Sequence, residues 1–211
     1  MQHALTCFCP SLRQSAAAVD IKVRLLHRKA DVANKQLDQQ IEYIAARALV
    51  GELDRIAAQK ACLVAIQKHF QCSRVSMWAF HGEPGLSVMR CTGGYAESGE
   101  YLPAGAELHQ EQYRDYFHEI FSAGAYVCHD TSLDARLDGM RESYLRPLRV
   151  TALLDAVFAY NGRAQGLLCC EQVDTPRCWT PAELADLKRC ASLITRYANR
   201  WVKMQSSLVM G

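Results

Sequence analysis

Two apolar runs stand out in the hydrophobic pattern, residues 151–160 (TALLDAVFAY) and 164–170 (AQGLLCC), with Asn161-Gly162 between them. Asn-Gly tolerates the positive φ that a two-residue type I′ turn requires, so the runs are predicted to form a hairpin. Both are apolar on both faces, which places them inside a sheet covered on two sides. Upstream, residues 11–50 contain neither Gly nor Pro, and from Val19 on they read as helix: Leu26, Ala30, Ala33, Leu37, Ile41, Ile44 and Ala48 recur at helical spacing. Gly51 interrupts, and a second helix is predicted over 52–69. The last helix begins at a capping box, Thr180 with Glu183 around Pro181. Its seam of Leu184, Leu187, Ala191, Ile194, Ala198 and Trp201 alternates steps of three and four, a heptad pattern. Cys190, Leu193 and Tyr197 add a second stripe. The seam fits either a dimer interface (Leu187, Ala191, Ile194, Ala198, Trp201) or core within one chain.

Between the helices, residues 74–80 and 86–91 read as strands around a turn at 81–85, and the glycine-rich 92–105 as a loop. Residues 110–123 form a helical pattern with Tyr113, Tyr116, Phe117, Ile120 and Phe121 on its apolar side and Gly124 as the cap. A short strand over 126–130, a polar loop over 131–139 and a helical turn over 141–145 complete the chain, the turn ending before Pro147.

Composition narrows the options. Half of the 211 residues are hydrophobic, enough for one sizeable core, and 24 basic against 22 acidic residues give a net charge of +2. That balance offers no reason to expect nucleic acid or an anionic membrane as partner. No apolar run approaches the roughly 20 residues of a membrane span, and no secretory signal opens the chain. The ten cysteines lack a Cys-x-x-Cys spacing, so reduced thiols in a cytoplasmic protein are the favoured reading. Adjacent strand residues point to opposite faces, so Cys128 and His129 are poor co-ligands and no metal site is expected. Asp155 and Glu171 each interrupt an apolar strand. A lone buried carboxylate is costly, so each needs a partner, solvent or a ligand. Arg146 and Arg149 are the nearest cations in sequence. A strict two-residue turn separates the acids onto opposite faces, whereas a bulge joins them on one; the register stays open.

Several of these residues together resemble the GAF domain family of small sensor modules. They are Tyr144-Leu145, Ala152-Leu153-Leu154-Asp155, Gly162, Gly166-Leu167-Leu168-Cys169-Cys170-Glu171, Arg177, Trp179-Thr180 and Glu183, with Tyr116-Phe117, Val127 and Asp130 upstream. The resemblance spans about 53–200. It implies an α+β fold: a central antiparallel sheet, terminal helices on one face and a loop-roofed ligand pocket on the other. The division expected is a tail over 1–18, a helical extension over 19–50 and the sensor domain over 51–205. The pocket walls expected are Trp78, Tyr113, Phe117, Cys128, Asp130, Tyr144, Leu153, Asp155 and Glu171. Phytochrome-type members carry a Cys-His pair just before the Tyr-Leu; Met140-Arg141 stand there, so covalent bilin attachment by that route is not expected. The phosphodiesterase-type cyclic-nucleotide signature is also missing. The function implied is that of a non-catalytic signalling sensor that binds an unknown small molecule. It would signal to a downstream protein through its terminal helices and homodimerisation, without a cofactor. Two alternatives stand beside it: a thiol redox enzyme of the free methionine sulfoxide reductase kind using Cys91 or Cys128, and a dimerisation scaffold with a vestigial pocket.

Overall fold

The computed structural model describes residues 11–209 apart from 84 and 86, and the side chains of 24, 28–83, 85 and 87–200 among them. Residues 1–10 of the expected tail and the Trp201 side chain lie outside the described residues. Residues 11–18, read as tail, are already helical: α1 runs Ser11–Leu49. Contacts divide the chain into two units, Met1–Gln36 and Leu37–Gly211. The described part of the first is helix with mostly exposed side chains. The second begins inside α1, not at Gly51, because Leu37, Ile41, Ile44 and Ala48 are buried in its core.

In the larger unit, α2 (Arg55–Phe70) starts at Asp54, whose carboxylate accepts from the Ala57 N–H at 2.7 Å. Then come β1 (Arg74–His81), β2 (Val88–Ala96), β3 (Tyr101–Leu102), β4 (Glu107–His109), α3 (Arg114–Ala123) and β5 (Ala125–Cys128). A helical connection follows, a 3-10 turn Ala135–Leu137, α4 (Asp138–Met140) and a π-helical turn Arg141–Leu145. The chain ends with β6 (Val150–Tyr160), β7 (Arg163–Val173) and α5 (Pro181–Val209). The strands form one antiparallel sheet in the order β3-β2-β1-β7-β6-β5, with β4 beside β2.

The Asn161-Gly162 turn is as the pattern predicts, with φ of 49° and 75°. Register then shifts between Phe158 and Ala159, leaving Gln165 as a bulged extra residue on β7. The bulge brings Asp155 opposite Cys169 and Leu153 opposite Glu171. Of the two registers open in the sequence, this is the one that puts both acids on one face. Gly166 follows for a steric reason: a Cβ there would sit 2.1 Å from the Trp78 carbonyl oxygen and 2.3 Å from the Phe158 ring.

One departure is the 92–105 stretch. Half of it is strand, because β2 continues through Gly93-Gly94 to Ala96 and β3 pairs back on it there. Glycine there permits close approach, as a Cβ on Gly94 would lie 3.0 Å from the Val75 carbonyl oxygen.

Each sheet face is covered. One carries α1, α2 and α5 over Val75, Leu154, Leu168 and Cys170. The other carries α3 and the 135–145 connection over Trp78, Leu153, Leu167 and Cys169. Leu187 and Ala191 are 0% and 1% exposed, so this half of the predicted dimer seam is intramolecular core. Leu184, Ile194 and Ala198 of the described seam retain exposed area. The capping box holds α5 as predicted: Thr180 Oγ1 accepts from the Glu183 N–H at 3.2 Å, and Glu183 Oε2 accepts from the Thr180 N–H at 2.7 Å. Arg177 stacks on Trp179 and donates to the Phe70 carbonyl and Glu183, joining the ends of α2 and β7 to α5.

Candidate functional site

The site lies between the sheet face carrying Asp155 and Glu171 and the layer of α3 and the π-helical turn. Strand alternation aims Leu153 and Asp155 from β6, Leu167, Cys169 and Glu171 from β7, and Ser76 and Trp78 from β1 into this layer. The π-helical turn brings Tyr144 down from above. Its hydroxyl donates to Glu171 Oε1 at 2.7 Å, and its ring meets Trp78 edge-on, centroids 6.1 Å apart. π-turns of this kind gather at functional sites.

The two acids have different surroundings. Glu171 is paired: its cross-strand neighbour Arg74 donates through Nε to Oε2 at 2.8 Å, and the guanidinium forms an ion pair with the same oxygen. With Tyr144 on the other oxygen, that carboxylate is satisfied. The cation is therefore neither Arg146 nor Arg149, which pair at the surface with Glu142 and Asp174. Asp155 is fully buried, and no described cation reaches it. Tyr116 donates to Oδ2 at 2.8 Å, while Oδ1 has no hydrogen-bond partner; Cys169 is the cross-strand neighbour of Asp155. Burial pushes the Asp155 carboxyl up to about 7, and the Glu171 charge adds to that, against the pull of Cys169 and Tyr116. Burial raises the Tyr116 hydroxyl and Cys169 thiol as well, so both stay protonated donors near neutrality.

Little space is left between these groups. A cavity of about 10 Å³ remains, bounded by Trp78, Tyr116, Met140, Tyr144, Cys169 and Glu171, among others. That is room for one water at most. The loop-roofed pocket expected from the sequence is thus closed, filled by Trp78, Tyr144 and Met140. Among the predicted walls, Trp78, Tyr144, Leu153 and Glu171 border the cavity, with Asp155 beneath it. Phe117 and Cys128 belong to the same apolar layer but not to the cavity wall. Tyr113 meets Ser143 on the outside. Asp130 is not a wall: it caps its own turn, accepting from the Ser132 N–H at 2.9 Å and hydroxyl at 2.6 Å. Tyr116, Cys169, Ser76 and Arg74 were not foreseen as site residues. For Arg74 the only signal is its register opposite Glu171, and periodicity does not fix that.

The two candidate redox thiols are poorly placed. Cys91 on β2 and Cys128 on β5 are separated by four inter-strand steps, about 19 Å, far beyond disulfide reach. Burial raises Cys91 and pushes Cys128 up to about 12. Among the described residues no group of three or more His, Cys, Asp or Glu is arranged to hold a metal.

The family model of the GAF domain matches residues 54–196, most of the chain. This chain belongs to the GAF domain family. No curated protein matches by sequence. The phycoerythrobilin-bound GAF domain of a cyanobacterial phytochrome superposes with a TM-score of 0.65 at 14% identity, covering 83% of this chain and 99% of that one. The free methionine-R-sulfoxide reductase of Neisseria meningitidis, in complex with its substrate, gives 0.64 at 11% identity, covering 83% and 93%. The blue-light-absorbing PixJ GAF domain of Thermosynechococcus elongatus gives 0.58 at 20% identity, covering 70% and 86%. At these identities the likeness is one of fold. The antiparallel sheet with helices on both faces is the GAF architecture.

Proposed function

We propose that this GAF domain is a non-catalytic small-molecule sensor whose pocket is closed until a ligand displaces Tyr144 and its π-helical turn. The observation that carries this reading is Asp155, a carboxylate with one oxygen unpartnered at the centre of an apolar core. An aliphatic residue there would make a more stable core, since an uncompensated buried acid is costly. Its retention beside Tyr116, Cys169, Ser76 and Glu171 fits a polar anchor for a ligand, reached in an open minor state. Such a ligand presents a hydrogen-bond donor or a cation to Asp155 and is not an anion. Among solved structures of this fold, two hold a bilin and a free methionine-R-sulfoxide reductase holds its substrate, which supports a small-molecule ligand here.

The signal leaves through the core-packed part of α1 from Leu37 on and through α5, both on the opposite sheet face, to a second copy and a downstream protein in the cytoplasm. No described helix is long and apolar enough to cross a membrane. The raised, widely separated Cys91 and Cys128 thiols argue against the redox-enzyme alternative. The cavity of about 10 Å³ favours a second reading, a scaffold whose pocket no longer opens. A thermal-shift screen of small amines and alcohols decides between them. A hit that stabilises the chain and loses about ten- to a hundredfold in affinity in Asp155→Asn supports the sensor. Hits indifferent to Asp155→Asn, or none, support the scaffold.

A further inference from the structure

The outer edge of the sheet is covered over only part of its length. β5 pairs with β6 from Cys128 opposite Leu153 to Ala125 opposite Ala156, and the Val157 N–H then donates to the Gly124 carbonyl at 3.0 Å. The chain turns away at Gly124, which has φ +66°. β6 runs on to Tyr160, still paired on its inner side to β7 through Ala159 opposite Ala164 and Tyr160 opposite Arg163. Among the described residues, no strand lies on the outer side of Phe158, Ala159 and Tyr160. An open strand edge is a template for another chain, and proteins commonly blunt or cover it.

Here the edge is flanked, not covered. α5 passes alongside, and a groove of about 500 Å³ lies between residues 157–160 and the face of α5 that carries Ser192, Arg196, Asn199 and Arg200. Arg196 lies over the Tyr197 ring, and neither it nor Arg200 has an ion-pair partner among the described residues. The charge along the helix is one-sided. After Asp186, α5 has Lys188, Arg189, Arg196, Arg200 and Lys203 and no acid as far as Val209. Arg189 is neutralised by Asp38 and Asp186, which leaves the positive charge beside the groove unopposed.

We infer that this groove is a docking site for an extended acidic segment of a partner protein, added to the open edge of β6. Backbone hydrogen bonds to the free edge supply the affinity, as in strand addition generally. Side chains of the added strand alternate between faces, so every second one lies on the α5 side, where a carboxylate meets Arg196 or Arg200. A basic groove alone would suit nucleic acid equally; the free edge is what selects a peptide. The site lies on the α5 side of the sheet, away from the Asp155 pocket, and does not depend on the sensor reading.

The test is fluorescence anisotropy with a labelled peptide of alternating valine and glutamate, titrated with the full chain. Saturable binding is expected with a dissociation constant of about 100 µM or tighter. The double charge reversal Arg196→Glu with Arg200→Glu, at exposed positions that leave the circular dichroism spectrum unchanged, should weaken it about tenfold or more. N-methylation of alternate peptide amides should do the same, since it removes edge hydrogen bonds but no charge. The inference is overturned by no binding at 1 mM, by binding indifferent to either change, or by a single-stranded oligonucleotide that binds more tightly and is displaced from the wild type by the peptide.

Discussion

Replacing Asp155 by Asn should make the protein more stable at pH 8, an unusual result for a fully buried hydrogen-bonded residue. The acid sits at about 7 in the fold against a reference of 3.8. The folded state therefore binds the proton more tightly than the unfolded chain. Stability from this group is fully present below the unfolded value and is lost as pH rises through the folded one. A shift of about three units corresponds to about 4 kcal/mol, lost at about 1.4 kcal/mol per pH unit between pH 4 and 7. Asn has nearly the same shape, still accepts from Tyr116 and does not titrate. Urea unfolding of both proteins, followed by far-ultraviolet circular dichroism from pH 4.5 to 8, gives the difference directly. The Asn variant should be equal to or slightly below wild type near pH 4.5 and ahead by a few kcal/mol at pH 8, with the gain flattening above pH 7. A difference that is constant with pH, or a variant less stable at pH 8, would show that Asp155 is ionised and stabilised in the core. The reasoning from burial would then fail.

Other consequences are simpler to test. Arg74→Met leaves Glu171 buried with only Tyr144 and should cost about 3–5 kcal/mol, with Glu171→Gln in the same background recovering part of it in thermal melts; a loss below 1 kcal/mol would mean that the pair is solvated. Gly166→Ala forces a methyl against the Trp78 carbonyl and the Phe158 ring, and should lower stability by about 3 kcal/mol or more; a neutral result would place the bulge elsewhere. Among the described cysteines Cys178 alone is exposed, so brief iodoacetamide treatment of the native protein followed by peptide mapping should label Cys178 well before Cys91 or Cys128. Rapid labelling of either buried thiol would restore the redox alternative.

Local chemistry was legible where a few adjacent residues decide the structure. Asn161-Gly162 specifies its turn, Thr180 and Glu183 their cap, and Gly124 the end of α3, whatever lies around them. The sheet beyond 92 was hidden because its glycines read as loop, although they serve close packing against Val75 and Leu102. The partner of Glu171 was hidden for another reason. Arg74 is 97 residues away, and only the register of β1 on β7, which periodicity does not fix, sets it opposite Glu171. The seam on α5 shows the limit of periodicity: it marks an apolar stripe but not which surface covers it, and for Leu187 and Ala191 that surface is the chain's own sheet. The pocket walls were found in outline, because aromatic residues and strand acids are visible in sequence. That they fill the pocket follows from packing, which the sequence pattern does not display.

The central claim is that a small molecule occupies the space now held by Tyr144, anchored on Asp155. Native mass spectrometry of the gently purified chain tests this most directly, run beside Asp155→Asn prepared in the same way. The account predicts a wild-type mass exceeding the polypeptide by one small ligand per chain, released on denaturation and largely missing from the variant. A wild-type mass equal to the bare polypeptide, or an adduct retained equally by Asp155→Asn, would contradict it.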